Sequence, residues 1–317
     1  MRINFSRFFT ASLFSISILL ILSLLFQFYI IGDTSIRCLF TEVLESRTAA
    51  QQWFYADKNQ KPRGVSLVIH GLNTNPDKMH DIIDILNKQG IDVLNLSLRG
   101  HGNNYHRRAD STAVDDRLDS LKNVSFLLWL QEAHNAYLKV LLRARRFGVP
   151  VSFVGYSLGG LMGCTLMLSH PHVRFHRMIL FAPALAVQQK RFLLKPLTPF
   201  TGFVIDSLSP IEYRSNSGTP VGAYNALFDA LSYFEHHVDG RIDIPTLIFI
   251  DEQDEFIDYE ALQALLHERH LEKWRLIPVN KDTGISDTMP HHIIIDRQST
   301  GTNAWREIES FIVTHLR

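Results

Sequence analysis

Short, β-rich apolar runs recur along this chain, and longer stretches with helical spacing lie between most of them. The runs are GVSLVIHG (64–71), IDVLNLSLRGHG (91–102), PVSFVG (150–155), RMILFAPAL (177–185), IPTLIFIDEQD (244–254) and WRLIPV (274–279). A strand with one face in water alternates apolar and polar side chains, whereas a strand covered on both faces is apolar throughout. Between the runs, NPDKMHDIIDILNKQG (75–90) spaces its apolar residues helically and ends on glycine, a usual C-cap residue. Further helices are expected over about 122–147, over SLGGLMGCTLMLSH (157–170) and, amphipathic, over 302–316. Arg143, Arg145 and Arg146 close the first of these, where cations complement the helix dipole. Strands alternating with helices predict an α/β chain with a mostly parallel sheet covered on both faces. Residues 186–243 break the alternation with Pro, Ser and aromatics, and are expected to form an insertion over the C-terminal edge of the sheet.

The N-terminus obeys a different rule. Phe8 to Ile31 carry no charge, and as a helix they are long enough for a hydrocarbon core of about 30 Å. The run is too long for a signal-peptide core, and IIGDTSIRC offers no small-x-small cleavage site. Arg37 directly before Cys38 argues against lipoprotein processing. Residues 1–32 are therefore expected to be an uncleaved signal anchor, a transmembrane helix, with 33–317 as the folded domain. Arg2 and Arg7 precede the span, while acidic and basic residues mix after it. This asymmetry places the N-terminus in the cytoplasm and the domain on the extracytoplasmic side. Lys plus Arg, at 32, equals Asp plus Glu, at 32, so no basic field points to nucleic acid and no acidic excess to disorder. Cys38 and Cys164 are the only cysteines, too few for a disulfide framework. Cys164, in an apolar helical stretch, is read as a buried, inert thiol.

Gly155-Tyr156-Ser157-Leu158-Gly159 fits G-x-S-x-G. The pattern describes a sharp strand-to-helix turn that projects a serine hydroxyl out of the sheet, with small neighbours that avoid clashes across it. The pentapeptide occurs by chance elsewhere. Here a strand precedes Ser157 and an apolar helix follows, which is the context the turn requires.

With that turn in place, the chain after the anchor resembles the α/β-hydrolase fold superfamily, in particular its monoglyceride lipase-, lysophospholipase- and carboxylesterase-like serine hydrolases. LVIHGLN resembles the His-Gly turn after the third strand, SLRGHG a loop common in those members, GYSLGG the nucleophile elbow, and IPTLIFIDEQDEFI the penultimate strand and acid loop. The resemblance implies an α/β-hydrolase fold with a cap, Ser157 as nucleophile, and the backbone N–H groups of Leu72 and Leu158 as oxyanion hole. It places the acid nine positions after Pro245, at Asp254, with Asp251 as competitor. Glu252, Glu255 and Asp258 nearby are read as a solvated loop, because no glycine stands where a calcium loop needs one. The superfamily orders its triad Ser, acid, His. Candidates for the base are His267, His270, His291, His292 and His315, and only MPHHIIID lies in the loop after the last strand. His292 precedes an aliphatic pair, as the superfamily's base often does, while His291 follows a turn-forming proline, so both stay open. His70 and His101 are expected to be structural, and Tyr156 to line the acyl pocket. A serine at the elbow disfavours the dehalogenase and epoxide hydrolase branches, which use aspartate there. No cofactor or metal is implied.

The expected function is hydrolysis of carboxylic esters through a Ser-Asp-His triad and an acyl-enzyme. Acylglycerols, lysophospholipids or small esters are the substrates in view. The alternative is a non-catalytic protein of this fold that binds a lipid or a partner at a membrane. Such proteins usually lose a triad member, whereas here candidates for all three remain in order.

Overall fold

The structure, a computed structural model, describes residues 50–57, 60–188 and 196–317. The expected anchor at 8–31, together with Cys38, lies outside the described residues. Among those described, no helix is long and apolar enough to cross a membrane.

Seven strands form the main sheet: β1 (Gln51–Phe54), β2 (Gly64–Ile69), β3 (Ile91–Leu96), β4 (Val151–Tyr156), β5 (Arg177–Phe181), β8 (Thr246–Ile250) and β9 (Trp274–Pro278). Their spatial order is β1-β3-β2-β4-β5-β8-β9. All neighbours run parallel except β1, which pairs antiparallel with β3. Every residue of β2, β3 and β8 is buried, as unbroken apolar runs require of strands covered on both sides. Helices α1 (His80–Lys88), α2 (Ala113–Lys122), α3 (Phe126–Phe147), α4 (Leu158–Ser169), α5 (Val221–His237), α6 (Tyr259–Glu268) and α7 (Thr302–Leu316) supply the connections and covering layers.

Local chemistry sets the ends of α3. The Ser125 hydroxyl accepts from the Leu128 N–H at its start, and Gly148 closes it in the left-handed region at φ 61°. Arg145 and Arg146 lie in its last turn. Arg143 instead bonds Asp92 at 2.6 Å and stacks on Tyr55.

Two elements have weak sequence signals. β1 buries none of its residues fully, and α2 buries only Asp116 and Leu121. Between β5 and β8 the chain forms a two-stranded ribbon, β6 (Val204–Asp206) with β7 (Gly218–Pro220), and then α5, whose Ala226, Ala230 and Phe234 are buried.

Chain order and sheet order diverge between β2 and β4: the chain steps from β2 out to β3, then returns past β2 to β4. Ligand sites of open α/β sheets lie at the C-terminal strand ends beside such a switch. The loops after β2, β4, β8 and β9 meet there.

Candidate active site

Ser157 joins β4 to α4 in a conformation that L-residues rarely adopt, φ 51° and ψ −113°. Its backbone N–H donates to the Phe181 carbonyl at 2.8 Å, and its carbonyl accepts from the Ala184 N–H at 3.0 Å. Both bonds tie the turn to the end of β5. The glycines leave room for it: a Cβ on Gly159 would stand 2.0 Å from the Ile69 carbonyl oxygen, and one on Gly155 2.6 Å from the Gly160 nitrogen.

The Ser157 Oγ lies 2.9 Å from His292 Nε2, and His292 Nδ1 lies 2.7 Å from Asp254 Oδ2. The other Asp254 oxygen accepts the N–H groups of Phe256 and Ile257 at 2.7 and 2.9 Å. The carboxylate is thereby fixed in an orientation that leaves one oxygen for the imidazole. Asp254 is 1% exposed and His292 9%, so the chain of bonds is largely sheltered from water.

The two competing candidates form a pair of their own. His291 Nδ1 lies 2.8 Å from Asp251 Oδ2, on a chain of bonds separate from Ser157. His267 and His270 are exposed at and beyond the end of α6, and His315 sits in α7. The structure thus brings His292, and not the other four histidines, to Ser157.

Of the acidic residues expected in a solvated loop, Glu252 is exposed and Asp258 caps α6, accepting from the Ala261 N–H at 3.0 Å, whereas Glu255 is drawn into the site. Asp251 and Asp254 are buried, and Glu255 accepts from the backbone N–H groups of both His291 and His292, at 2.9 and 3.0 Å. Nothing in the sequence pointed to Glu255 as more than a surface charge. Among the described residues, no three His, Cys, Asp or Glu side chains are placed to hold a metal ion.

Neither the Leu72 nor the Leu158 N–H has a hydrogen-bond acceptor among the described residues. Leu158 is the first residue of α4, where helical N–H groups lack intrahelical partners. Leu72 is held by its neighbours. The Asn73 N–H donates to His101 Nε2 at 2.8 Å, and Asn73 itself is left-handed, at φ 53°. The Asn73 side chain pairs with Asn216 through its amide nitrogen, 3.1 Å from the Asn216 carbonyl, and its Oδ1, 2.9 Å from the Asn216 N–H. The Ser215 N–H donates to the Asn73 carbonyl at 2.8 Å. Asn73 and Asn216 were not legible as site residues, because their partnership spans 143 positions.

His70 and His101 act as neutral cross-ties, consistent with the structural role expected of them. His70 Nε2 accepts from the Leu98 N–H at 3.0 Å and Nδ1 donates to the Gly71 carbonyl at 2.7 Å. Both rings are fully buried, and burial pushes His70 down to about 4 and His101 well below the usual imidazole range. The unfolded chain would protonate His70 near 6.5, so between pH 6.5 and 4 it binds more protons than the folded chain, and stability falls as pH is lowered through that window. At pH 5 His70 alone should cost about 2 kcal/mol relative to pH 7. Urea midpoints at the two pH values check this, and an unchanged midpoint would contradict it.

Tyr156 is buried beneath the His292 loop, and its hydroxyl donates to the His292 carbonyl at 3.3 Å. Burial holds the phenol far above its usual range, so it remains a donor. Its ring also borders a cavity of about 230 Å³ that opens at Ser157. The far wall comes from the segment between β5 and β8, with Ile205, Leu208, Tyr224, Leu227 and Phe228. Cys164 is fully buried, and burial pushes its thiol upward, so it is inert.

Solved structures share this architecture at low sequence identity. One of the metagenome-derived lipolytic enzymes LipS and LipT superposes with a TM-score of 0.65 at 17% identity, covering 86% of this chain and 98% of that one. A soluble variant of the Saccharomyces cerevisiae monoglyceride lipase, bound to a substrate analog, gives 0.64 at 14% identity over 84% of this chain and 90% of that one. The Paleococcus ferrophilus monoacylglycerol lipase gives 0.58 at 17% identity over 84% and 98%. No curated protein sequence matches the chain. The family described as serine aminopeptidase, S33 (Hydrolase_4) matches residues 60–219, a stretch that contains the Ser157 turn and both loops carrying the free N–H groups. The chain therefore belongs to the serine aminopeptidase S33 family of serine hydrolases, on an α/β-hydrolase fold.

Proposed function

We propose that this protein hydrolyses carboxylic esters, with lipid acyl esters such as monoacylglycerols or lysophospholipids as its substrates. The observation that carries the proposal is the continuous chain Ser157–His292–Asp254 at the floor of an apolar cavity. A serine hydroxyl is a weak nucleophile until a base takes its proton. His292 Nε2 accepts that proton as Ser157 Oγ attacks the ester carbonyl carbon, and Asp254 stabilises the imidazolium that forms. The carbonyl oxygen, now anionic, is received by the N–H groups of Leu72 and Leu158, each worth about 3–4 kcal/mol in comparable sites. His292 then protonates the departing alkoxide. Water, deprotonated by the same imidazole, attacks the acyl carbon, and the imidazolium returns that proton to Ser157 Oγ as its bond to the acyl group breaks and the acid leaves.

The wall is mainly apolar, with Asp206, Ser207, Ser209 and Thr219 among its apolar residues, and that balance supports a lipid acyl group. Leu208 lines the cavity at 76% exposure, and Phe200, Phe203 and Ile211 in the same segment are also exposed. Monoglyceride lipases among the structures of similar fold agree with this choice. The uncharged run 8–31 would anchor the domain beside the bilayer that holds such substrates, N-terminus in the cytoplasm and domain on the extracytoplasmic side.

A fluorophosphonate probe followed by a substrate panel tests the proposal. Wild-type protein should be labelled and Ser157→Ala should not, with monoacylglycerol or lysophospholipid cleaved faster than an aminoacyl anilide. Absence of labelling, or equal labelling of the variant, would remove the nucleophile. Preference for the anilide would replace the ester reading with peptide cleavage.

A further inference from the structure

We infer that Glu255 and Lys281 are positioning residues that hold the 290–293 segment in the one register in which His292, and not His291, faces Ser157. The inference rests on the proposed role of His292. Adjacent side chains cannot point the same way, so a His-His dipeptide has two settings, and in the one observed both rings are engaged at once, His291 by Asp251 and His292 by Asp254. The aspartates hold the two rings, and the backbone that carries them has holders of its own. The segment lies after β9, outside regular secondary structure, where a turn bond from the Ile293 N–H to the Pro290 carbonyl at 3.1 Å joins its ends.

Side chains seat that turn in the site. Glu255 receives the His291 N–H on Oε1 at 2.9 Å and the His292 N–H on Oε2 at 3.0 Å. Lys281 Nζ donates to the carbonyls on either side, Pro290 at 2.6 Å and Ile293 at 2.9 Å. Tyr156 donates to the carbonyl between them, that of His292. Two N–H groups and three carbonyls along four residues are thus held from three separate parts of the chain. A shift of one residue would leave these groups opposite the wrong partners, and unmatched polar groups in a sheltered site are costly.

The chemistry requires these residue types. Only a carboxylate presents two acceptors to two adjacent N–H groups, whereas the isosteric amide turns an NH2 toward one of them. Lys281 is surrounded by Asp251, Asp254, Glu255 and Asp296, which favour its charge, yet burial outweighs them and brings it down to about 8. Below that value both carbonyl bonds are charge-assisted, and above it they weaken.

The test uses the full chain and an ester substrate, with active sites titrated by fluorophosphonate so that rates are per competent site. Glu255→Gln should lower kcat by about 10²-fold, the loss expected for a base misplaced by about 1 Å, with KM within threefold. Wild-type kcat should decline above pH 8, and Lys281→Arg, which keeps its charge, should carry the plateau to higher pH. A per-site kcat for Glu255→Gln within threefold of wild type, with the titratable share of folded protein unchanged, would overturn the inference. Should Glu255→Gln not fold, the Lys281→Arg profile decides, and superimposable profiles would overturn the inference. Labelling of Ser157→Ala equal to wild type would instead refute the nucleophile itself, whatever the Glu255 variant does.

Discussion

Ser157→Ala and His292→Ala are each expected to lower ester turnover by about 10⁵-fold or more, with no further loss when they are combined, because nucleophile and base act as one unit. Asp254→Asn should cost about 10⁴-fold, since an amide at that position no longer stabilises the imidazolium or enforces its tautomer. His291→Ala, one residue away, should stay within about tenfold of wild type, because its ring faces Asp251 and no step of the reaction passes through it. Initial rates on a p-nitrophenyl ester, per mole of folded protein, measure all four. A severe loss in His291→Ala with a mild one in His292→Ala would exchange their roles and remove the geometric basis of the mechanism.

The largest effect on stability is expected at Gly159. Alanine there would set its Cβ 2.0 Å from the Ile69 carbonyl oxygen, 2.6 Å from the Ile69 carbonyl carbon and 2.8 Å from the His70 carbonyl oxygen. All three are backbone atoms at the buried end of β2, so no flexible side chain can move aside. Relief requires α4 and β2 to separate, and a cost of about 3 kcal/mol or more follows from overpacking of this severity. Gly240→Ala is the control, because nothing lies within 4 Å of its added methyl. Urea unfolding of the two variants measures the difference. A midpoint for Gly159→Ala equal to that of Gly240→Ala would mean that the close approach of α4 to β2 is not present in solution. The clash also falls on Ile69 and His70, two residues before Leu72, so activity should be lost even in whatever fraction remains folded.

The parts of the fold that were legible in the sequence are those set by local pattern and burial. β2, β3, β4, β5 and β8 each fall within a mainly apolar run, because both of their faces are covered, and β9, at the far edge, falls within a shorter one that leaves Arg275 and Pro278 exposed. The Ser157 turn was legible because a strained strand-to-helix junction admits few residues at its neighbours. β1 and α2 were not, because β1 lies at an edge and α2 buries only two residues, so neither needs a strong pattern. The choice between His291 and His292 was open for a related reason. It depends on Glu255, Lys281 and Tyr156, which stand 10 to 136 positions away along the chain, and no local pattern records a contact of that range. The anchor was read from length and charge alone, and it lies outside the described residues.

The Asn73–Asn216 pairing has a consequence for how size selection would operate. Residues 214–216 form part of the segment between β5 and β8, yet their bonds run to the loop that presents the Leu72 N–H. A bulky ligand that wedged this stretch aside would also drag Leu72 out of line. If Leu72 receives the oxyanion, such a ligand still finds apolar surface to occupy but loses the donor on which its own turnover depends. Oversized esters would then accumulate as slow, occupying inhibitors rather than as molecules turned away at the entrance, and the penalty for misfit would be felt in time rather than in affinity.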